Sequence, residues 1–376
     1  MAKKYRVAVI GRTGKGDYGH GIDTVWLGLD NVELVAVADE DETGRAKAAQ
    51  RLKVAHAYAD YRQMLLKERP NIVSVCPRWL DAHCQLVVAC ADHGANIFLE
   101  KPLCRTLEEA DDMVATCERH HVKVALAHQT RYSPRLAHVK RLLAEGRLGQ
   151  LLEMRGRGKE DAKRGGGEDL MVLGTHIMDL MRFLAGDARW CFARAAQGDQ
   201  PVTQAAIRDG NEGIGPLAGD HVLAVYGFDH GVNGYFASVA DRSMRTDKQT
   251  TLPGSRFGLQ LFGTRGVIHL TTGSLPAVYF CEDPSWSPGC SGAKWQPITS
   301  AGLNRPEPLK DTGASLANVL IVKDLIAAIE QDTQPLGSIY DGRAALEMIL
   351  AVYESHRLQA SVKLPLKNRK HPLTLL

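Results

Sequence analysis

Residues 5–19 read YRVAVIGRTGKGDYG: a short apolar run, Tyr5–Ile10, that stops at Gly11 and is followed by Gly14, Gly16 and Gly19. Gly14–Gly19 fits the spacing G-x-G-x-x-G. In that pattern glycines make a tight turn after a buried strand, so that backbone N–H groups approach a pyrophosphate at a helix N-terminus. The string alone is weak. It gains force because a second apolar run, Glu33–Ala38, ends in Asp39, 25 residues after Gly14 and near the roughly 20 expected for a ribose-binding carboxylate. Asp39 is expected to accept hydrogen bonds from the adenosine ribose hydroxyls. Its charge and that of Glu40 oppose a 2′-phosphate, so NAD is favoured over NADP. The run already ends at Gly11, so roughly three residues are inserted relative to the usual turn. Either Gly11 or Gly14 then makes the first tight turn, with Thr13 beside it.

Further along, Ile72–Cys76, Asn96–Leu99 and Lys123–Ala127 are brief and apolar, as strands buried on both faces are. They alternate with helical stretches at Thr43–Leu52, Tyr61–Glu68, Asp81–His93 and Leu107–His120. This is the rhythm of an α/β, doubly wound parallel sheet of Rossmann type. After residue 127 the rhythm changes. Pro134–Glu145 and Leu173–Leu184 read as helices. Leu151–Arg157, His221–Phe228, Gly234–Val239, Phe257–Phe262, Val267–Thr271 and Ala277–Cys281 read as strands meeting at glycine-containing turns. That predicts a C-terminal α+β domain with a large, mostly antiparallel open sheet, one face covered by helices. The expected division is 1–127 and 128–376. The closing helices, Ser315–Glu330 and Gly342–Gln359, go with the second domain but are able to pack back on the first. Cys281–Asp311, rich in Pro, Gly and Ser, is expected to be a long loop.

The composition bounds the function. The chain has 376 residues, 44% hydrophobic and 24% charged, with a formal net charge of +3. The positive excess is dispersed, so nothing argues for nucleic acid or a membrane surface. No apolar run is long enough to span a bilayer, and the first strand leaves no room for a signal peptide; the expected location is cytoplasmic. None of the eight cysteines forms a C-x-x-C pair, and Cys84 and Cys90 read as small buried hydrophobes. The histidines show neither H-x-x-x-H nor H-E-x-x-H spacing, so no metal site is expected.

Three later segments carry chemistry. Ile97–Pro102 (IFLEKP) ends a strand in Glu100-Lys101-Pro102. Val75–His83 (VCPRWLDAH) places a proline turn and a histidine after another strand. Leu173–Asp179 (LGTHIMD) opens a helix of the second domain. Together these resemble the glucose-fructose oxidoreductase / inositol dehydrogenase / rhizopine catabolism family, Gfo/Idh/MocA, over essentially the whole chain. The resemblance implies an NAD(P)-binding Rossmann domain, a second domain with a large open sheet, oxidation or reduction of a sugar, cyclitol or related polyol, and a homodimer or homotetramer. It carries over Lys101 and His176 as the shared catalytic pair. Pro77 and Pro102 resemble the family turns that line the nicotinamide side of the cleft, Arg78 standing where Asn is commoner; Cys76, Arg78, His83 and Gln129 are carried over as cofactor-binding residues, and Glu100 either positions Lys101 or contacts the nicotinamide ribose. Many members place an Asp four residues before the helical His; here that position is Val172.

The chemistry makes sense without the family. Oxidising a secondary alcohol removes a hydride and a proton from one carbon–oxygen unit. A histidine near neutral pKa can take the proton, and a lysine can stabilise the negative charge developing on oxygen. Asp179, three residues after His176, shares its helix face and is able to orient the imidazole or bind a substrate hydroxyl. Asp169 and Glu168 either fill the space left by Val172 or cap a helix. Arg131 and Gln129 are candidate ligands for sugar hydroxyls or cofactor. Arg155, Arg157 and Lys159 alternate on one strand, either attracting an anionic substrate group or forming a solvated sheet face. The leading expectation is an NAD-dependent sugar or polyol dehydrogenase. Its alternatives are an NAD-dependent glycoside hydrolase working through transient internal oxidation, and a non-enzymatic NAD(H) sensor.

Overall fold

The computed structural model describes residues 4–240, 256–310 and 312–376. The chain divides into two compact units: the N-terminal residues through Gln129 with Asn211–Gly215 and Ala314–Arg343, and the described residues of Thr130–Gly210, Pro216–Gly313 and Ala344–Leu376. Among the described residues no helix is long and apolar enough to cross a membrane.

In the first unit, β1 (Tyr5–Ile10), β2 (Val32–Ala38), β3 (His56–Tyr58), β4 (Ile72–Val75), β5 (Asn96–Leu99) and β6 (Val124–Leu126) form one sheet in the order β3-β2-β1-β4-β5-β6. Every pairing is parallel. All of β4 is buried, as is β1 apart from Arg6, which is why these runs show no apolar–polar alternation. The order reverses between β1 and β4, opening a crevice at their carboxyl ends. Four helices, α1 (Glu42–Leu52), α2 (Tyr61–Glu68), α3 (His83–Asp92) and α4 (Leu107–Arg119), connect the later strands. Asp41, Asp60 and Thr106 cap three of them through side-chain oxygens, relieving N–H groups that the helix leaves without partners.

One expectation fails here. The glycine turn does not open an α-helix. The chain leaves β1 through consecutive turns and reaches only a 3-10 turn at Val25–Gly28 before β2. Gly14, Gly16, Gly19 and Gly21 all have positive φ, a conformation that right-handed helix cannot propagate through. Burial of Ile22 and Trp26 anchors the segment instead, with Trp26 Nε1 donating to Ser74 Oγ at 2.7 Å. Helix Ser315–Gln331 belongs to this unit, and Tyr5 OH donates to its Glu330 at 3.1 Å.

The second unit begins with α5 (Pro134–Ala144), β7 (Leu151–Arg157), α6 (Gly167–Val172), α7 (Gly174–Ala185) and β8 (Trp190–Gln197). Its eleven-stranded sheet runs, edge to edge, Gly302–Leu303, Gln296–Thr299, Val278–Cys281, Gly266–Thr271, Gly258–Gly263, β7, Asn233–Val239, His221–Gly227, β8 and Val362–Lys363, with Gln200–Pro201 pairing β8 off this path. Among its described strands only β7 and Asn233–Val239 pair in parallel. Helix α7 packs on one face: a Cβ on Gly156 of β7 would stand 2.3 Å from Ile177 and 3.1 Å from Met181. Residues 344–358 of the last helix cover the same sheet, where Tyr226 OH donates to Met348 O at 3.0 Å and Ala193 N to Ser355 Oγ at 2.9 Å. The opposite face exposes Phe192 and Leu223. The segment expected to be one long loop instead holds a short helix, Pro288–Ser291, and the last two strands at one side of the sheet.

Candidate active site

The glycine turn folds back on itself. Arg12 N donates to Asp17 O at 3.1 Å, Asp17 N to Arg12 O at 3.0 Å, and Gly14 N to Asp17 Oδ1 at 2.9 Å. Gly16 packs against the turn after β4, since a Cβ there would stand 2.3 Å from the backbone N of Arg78. The inserted residues thus form a closed loop bridging β1 and the Pro77–Trp79 turn. Beside it a pocket opens at the carboxyl ends of β1 and β2. Ala59, Tyr61, Ala82 and Leu86 give it an apolar wall, and Gln85, Asp39 and Glu40 a polar one.

Asp39 lies at the expected place, but its carboxylate is engaged. Thr13 Oγ1 donates to it at 2.7 Å, Tyr18 OH at 2.8 Å, Asp41 N at 3.0 Å and Thr13 N at 3.1 Å. Asp39 is 2% exposed. Burial, and then the hydrogen bond to Asp39, push the Tyr18 phenol well above its ordinary range, so Tyr18 stays a donor.

At the crevice, Glu100 follows β5 and is fully buried. His20 Nδ1 lies 3.1 Å from one carboxylate oxygen and His20 N donates to the other at 3.2 Å, while Lys101 N donates at 3.2 Å. Burial alone would raise the Glu100 carboxyl; the bond from His20 and the charges of His20 and Lys101 outweigh it and hold the group below the usual range. Glu100 therefore anchors the Lys101 segment. His83, also fully buried, bridges two turns: Nε2 is 2.7 Å from Pro77 O, and Nδ1 is 3.0 Å from both Pro102 O and Leu103 O. Cys76 is buried, and burial pushes its thiol well up, leaving it a packing group rather than a nucleophile. Gln129 Nε2 donates to Asn318 Oδ1 at 3.3 Å, and Asn318 Nδ2 donates to His20 O at 3.0 Å. Sequence reading misses His20 and Asn318. His20 follows the last glycine of the motif and is visible in retrospect, whereas Asn318 comes from a helix 298 residues away and leaves no local signal.

In the second unit, His176 lies in the first turn of α7, half-buried, with the Phe257 ring edge-on at a centroid distance of 6.3 Å. Asp179 is occupied by Arg131: Nη2 donates to Oδ1 at 2.6 Å and Nε to Oδ2 at 3.1 Å, both side chains buried, and the guanidinium lies over Phe183. Two predicted ligand residues thus form one buried ion pair. Asp169 is also buried, in the first turn of α6 rather than in a loop. It accepts from Ser238 Oγ at 2.6 Å, Lys159 N at 3.1 Å and Glu160 N at 3.2 Å, and burial raises its carboxyl despite those bonds. Its position is that of a pin for the loop after β7. Arg157 ends β7 and pairs with the fully buried Glu160, and Arg155 pairs with Glu153 at 2.7 Å. Val172 is buried apolar core.

The pocket beside Asp39 and Glu40 suits the adenosine end of a nicotinamide dinucleotide: an apolar wall for a flat base, carboxylates at the end of β2, and the strand-order reversal next to it. Such a fold and such a pocket define a dinucleotide-dependent oxidoreductase. Family models agree: the NAD-binding Rossmann fold of the Gfo/Idh/MocA oxidoreductases matches residues 5–128, and their C-terminal alpha/beta domain matches 140–364. The chain belongs to this oxidoreductase family. It is 25% identical over 377 residues to the D-apiose dehydrogenase of Paraburkholderia graminis, covering 96% of this chain and 90% of that protein. It is 23% identical over 356 residues to the levoglucosan dehydrogenase of Pseudarthrobacter phenanthrenivorans, covering 88% and 89%. A solved levoglucosan dehydrogenase in complex with NADH shares the fold, with a TM-score of 0.75 at 19% identity and coverage of 96% of this chain and 100% of that one.

Proposed function

We propose that this oxidoreductase uses NAD to interconvert an alcohol and a ketone on a sugar, cyclitol or related polyol. The observation that carries this reading is a nucleotide pocket at the ends of β1 and β2 in a chain whose whole length resembles two sugar dehydrogenases. When bound, NAD supplies the hydride acceptor. Lys101, anchored through Glu100, hydrogen-bonds the reacting oxygen and stabilises the charge that develops there. His176 receives the hydroxyl proton. His83 and Gln129 hold the turns and linker that shape the cofactor's nicotinamide end, and the Arg131–Asp179 pair fixes the helix that carries His176.

The test is absorbance at 340 nm with NAD⁺ and a panel of sugars and polyols, run on the wild type, Lys101→Ala and His176→Ala. NADH that accumulates with one substrate, and falls by roughly a hundredfold or more in each variant, is the expected result. Cleavage of a glycoside without net NADH would replace this reading with internal-redox hydrolysis. Cofactor binding without turnover on any substrate would leave a sensor. We further propose a cytoplasmic location and a homodimer or homotetramer, the association supported by the exposed apolar side chains Phe192 and Leu223 on the open sheet face.

A further inference from the structure

Asp39 and Glu40 follow one another at the end of β2 and border the same pocket, yet only one has hydrogen-bonding capacity to spare. A carboxylate offers about four lone-pair sites. Those of Asp39 are taken by Thr13 N, Thr13 Oγ1, Tyr18 OH and Asp41 N, at 2.7 to 3.2 Å. Tyr18 also covers Gly11, where a Cβ would stand 2.2 Å from its ring, and carries Arg51 at 4.7 Å on the ring face. Releasing Asp39 would therefore leave a half-buried phenol without its acceptor and open the closed glycine loop. Glu40 is exposed, and among the described residues its carboxylate has no hydrogen bond or ion pair. Its backbone is held, since Arg45 donates to Asp39 O at 2.7 Å and Glu40 O at 3.3 Å. Arg12, the cation bordering the pocket, is tied to Asp81 at 2.8 Å.

We propose that Glu40 is the specificity-determining carboxylate that takes the adenosine ribose hydroxyls, and that Asp39 is the pin of the inserted glycine loop. The assignment rests on the dinucleotide reading of the same site and corrects its expected ribose ligand. Two vicinal hydroxyls donate to an exposed carboxylate that accepts both, whereas a 2′-phosphate meets the same charge without a donor. Discrimination against NADP then belongs to Glu40.

The experiment is a fluorescence titration of NADH and NADPH into the wild type, Glu40→Gln and Tyr18→Phe, with thermal melts of each. Glu40→Gln is expected to melt with the wild type, weaken NADH by roughly tenfold or more, and narrow the preference for NADH over NADPH. Tyr18→Phe is expected to melt lower with that preference unchanged. NADH affinity unchanged in Glu40→Gln overturns the proposal. So does tighter NADH binding in Tyr18→Phe, because Asp39 would then be the ribose ligand with the phenol as its competitor. A wild type that binds neither dinucleotide fails the cofactor reading itself, a result distinct from either.

Discussion

Arg131 and Asp179 place two full charges where their side chains are 4% and 2% exposed. The pair is bidentate, the geometry in which a guanidinium and a carboxylate satisfy one another best. Removing one partner leaves the other buried and uncompensated. Arg131→Ala is expected to cost about 3–5 kcal/mol, read as a loss of unfolding free energy in urea. Arg131→Met together with Asp179→Leu should recover much of that, and a double variant as unstable as the single one would contradict the account. His371 makes a second residue-scale case. Burial against Tyr353, whose ring centroid is 5.9 Å away, pushes its imidazole down to about 4 from 6.5. The folded chain keeps this ring neutral, while the unfolded chain protonates it below pH 6.5. Its contribution is therefore full above that pH and lost as pH falls toward 4, by about 3 kcal/mol. Unfolding free energy measured across this window should fall less steeply in His371→Phe than in the wild type.

Loops after strands are where this fold departs from what residue patterns suggest. After β1, glycines at positive φ replace a helix with a closed turn. After β7, Gly165–Gly167 thread between strand ends: Gly166 has φ 86° and ψ −127°, and a Cβ there would stand 2.5 Å from Gly219 O. Gly14, also at positive φ, has nothing within 4 Å of the corresponding point. Gly166→Ala should thus cost more than the roughly 1–3 kcal/mol of backbone strain alone, whereas Gly14→Ala should cost about 1–2 kcal/mol. Melting temperatures of the two variants, compared side by side, check the ordering; equal shifts would mean that close approach at Gly166 contributes nothing.

For the molecule as a whole, the open sheet is the face on which large apolar side chains stay exposed. Phe192 and Leu223 are 51% and 56% exposed on adjacent strands, with Arg155 and Glu153 paired on the same sheet. If copies associate through this face, a charge at its centre is desolvated on assembly. Leu223→Asp is then expected to lower the mass in solution, by light scattering, to that of one chain, without lowering dinucleotide affinity. An unchanged mass would place the interface elsewhere.

What the sequence by itself determined was whatever repeats along the chain or recurs at short range. The apolar runs of β1, β2, β4 and β5 announce a buried parallel sheet, and the strands meeting at glycine-containing turns after residue 150 announce an open antiparallel one. The acid that follows β2 and the Glu-Lys-Pro after β5 point to the candidate site, because strand ends in such a sheet converge on one crevice. Among the strands that stayed illegible, β3 is three residues long and largely exposed, and in the eight-residue β8 alanines blur the alternation. Partners across the chain were decided only by tertiary structure. A carboxylate at Asp39, Asp169 or Asp179 has the same letters whether it faces a ligand or a buried donor, and which one depends on what the fold brings beside it: Tyr18 and Thr13, Ser238, and Arg131.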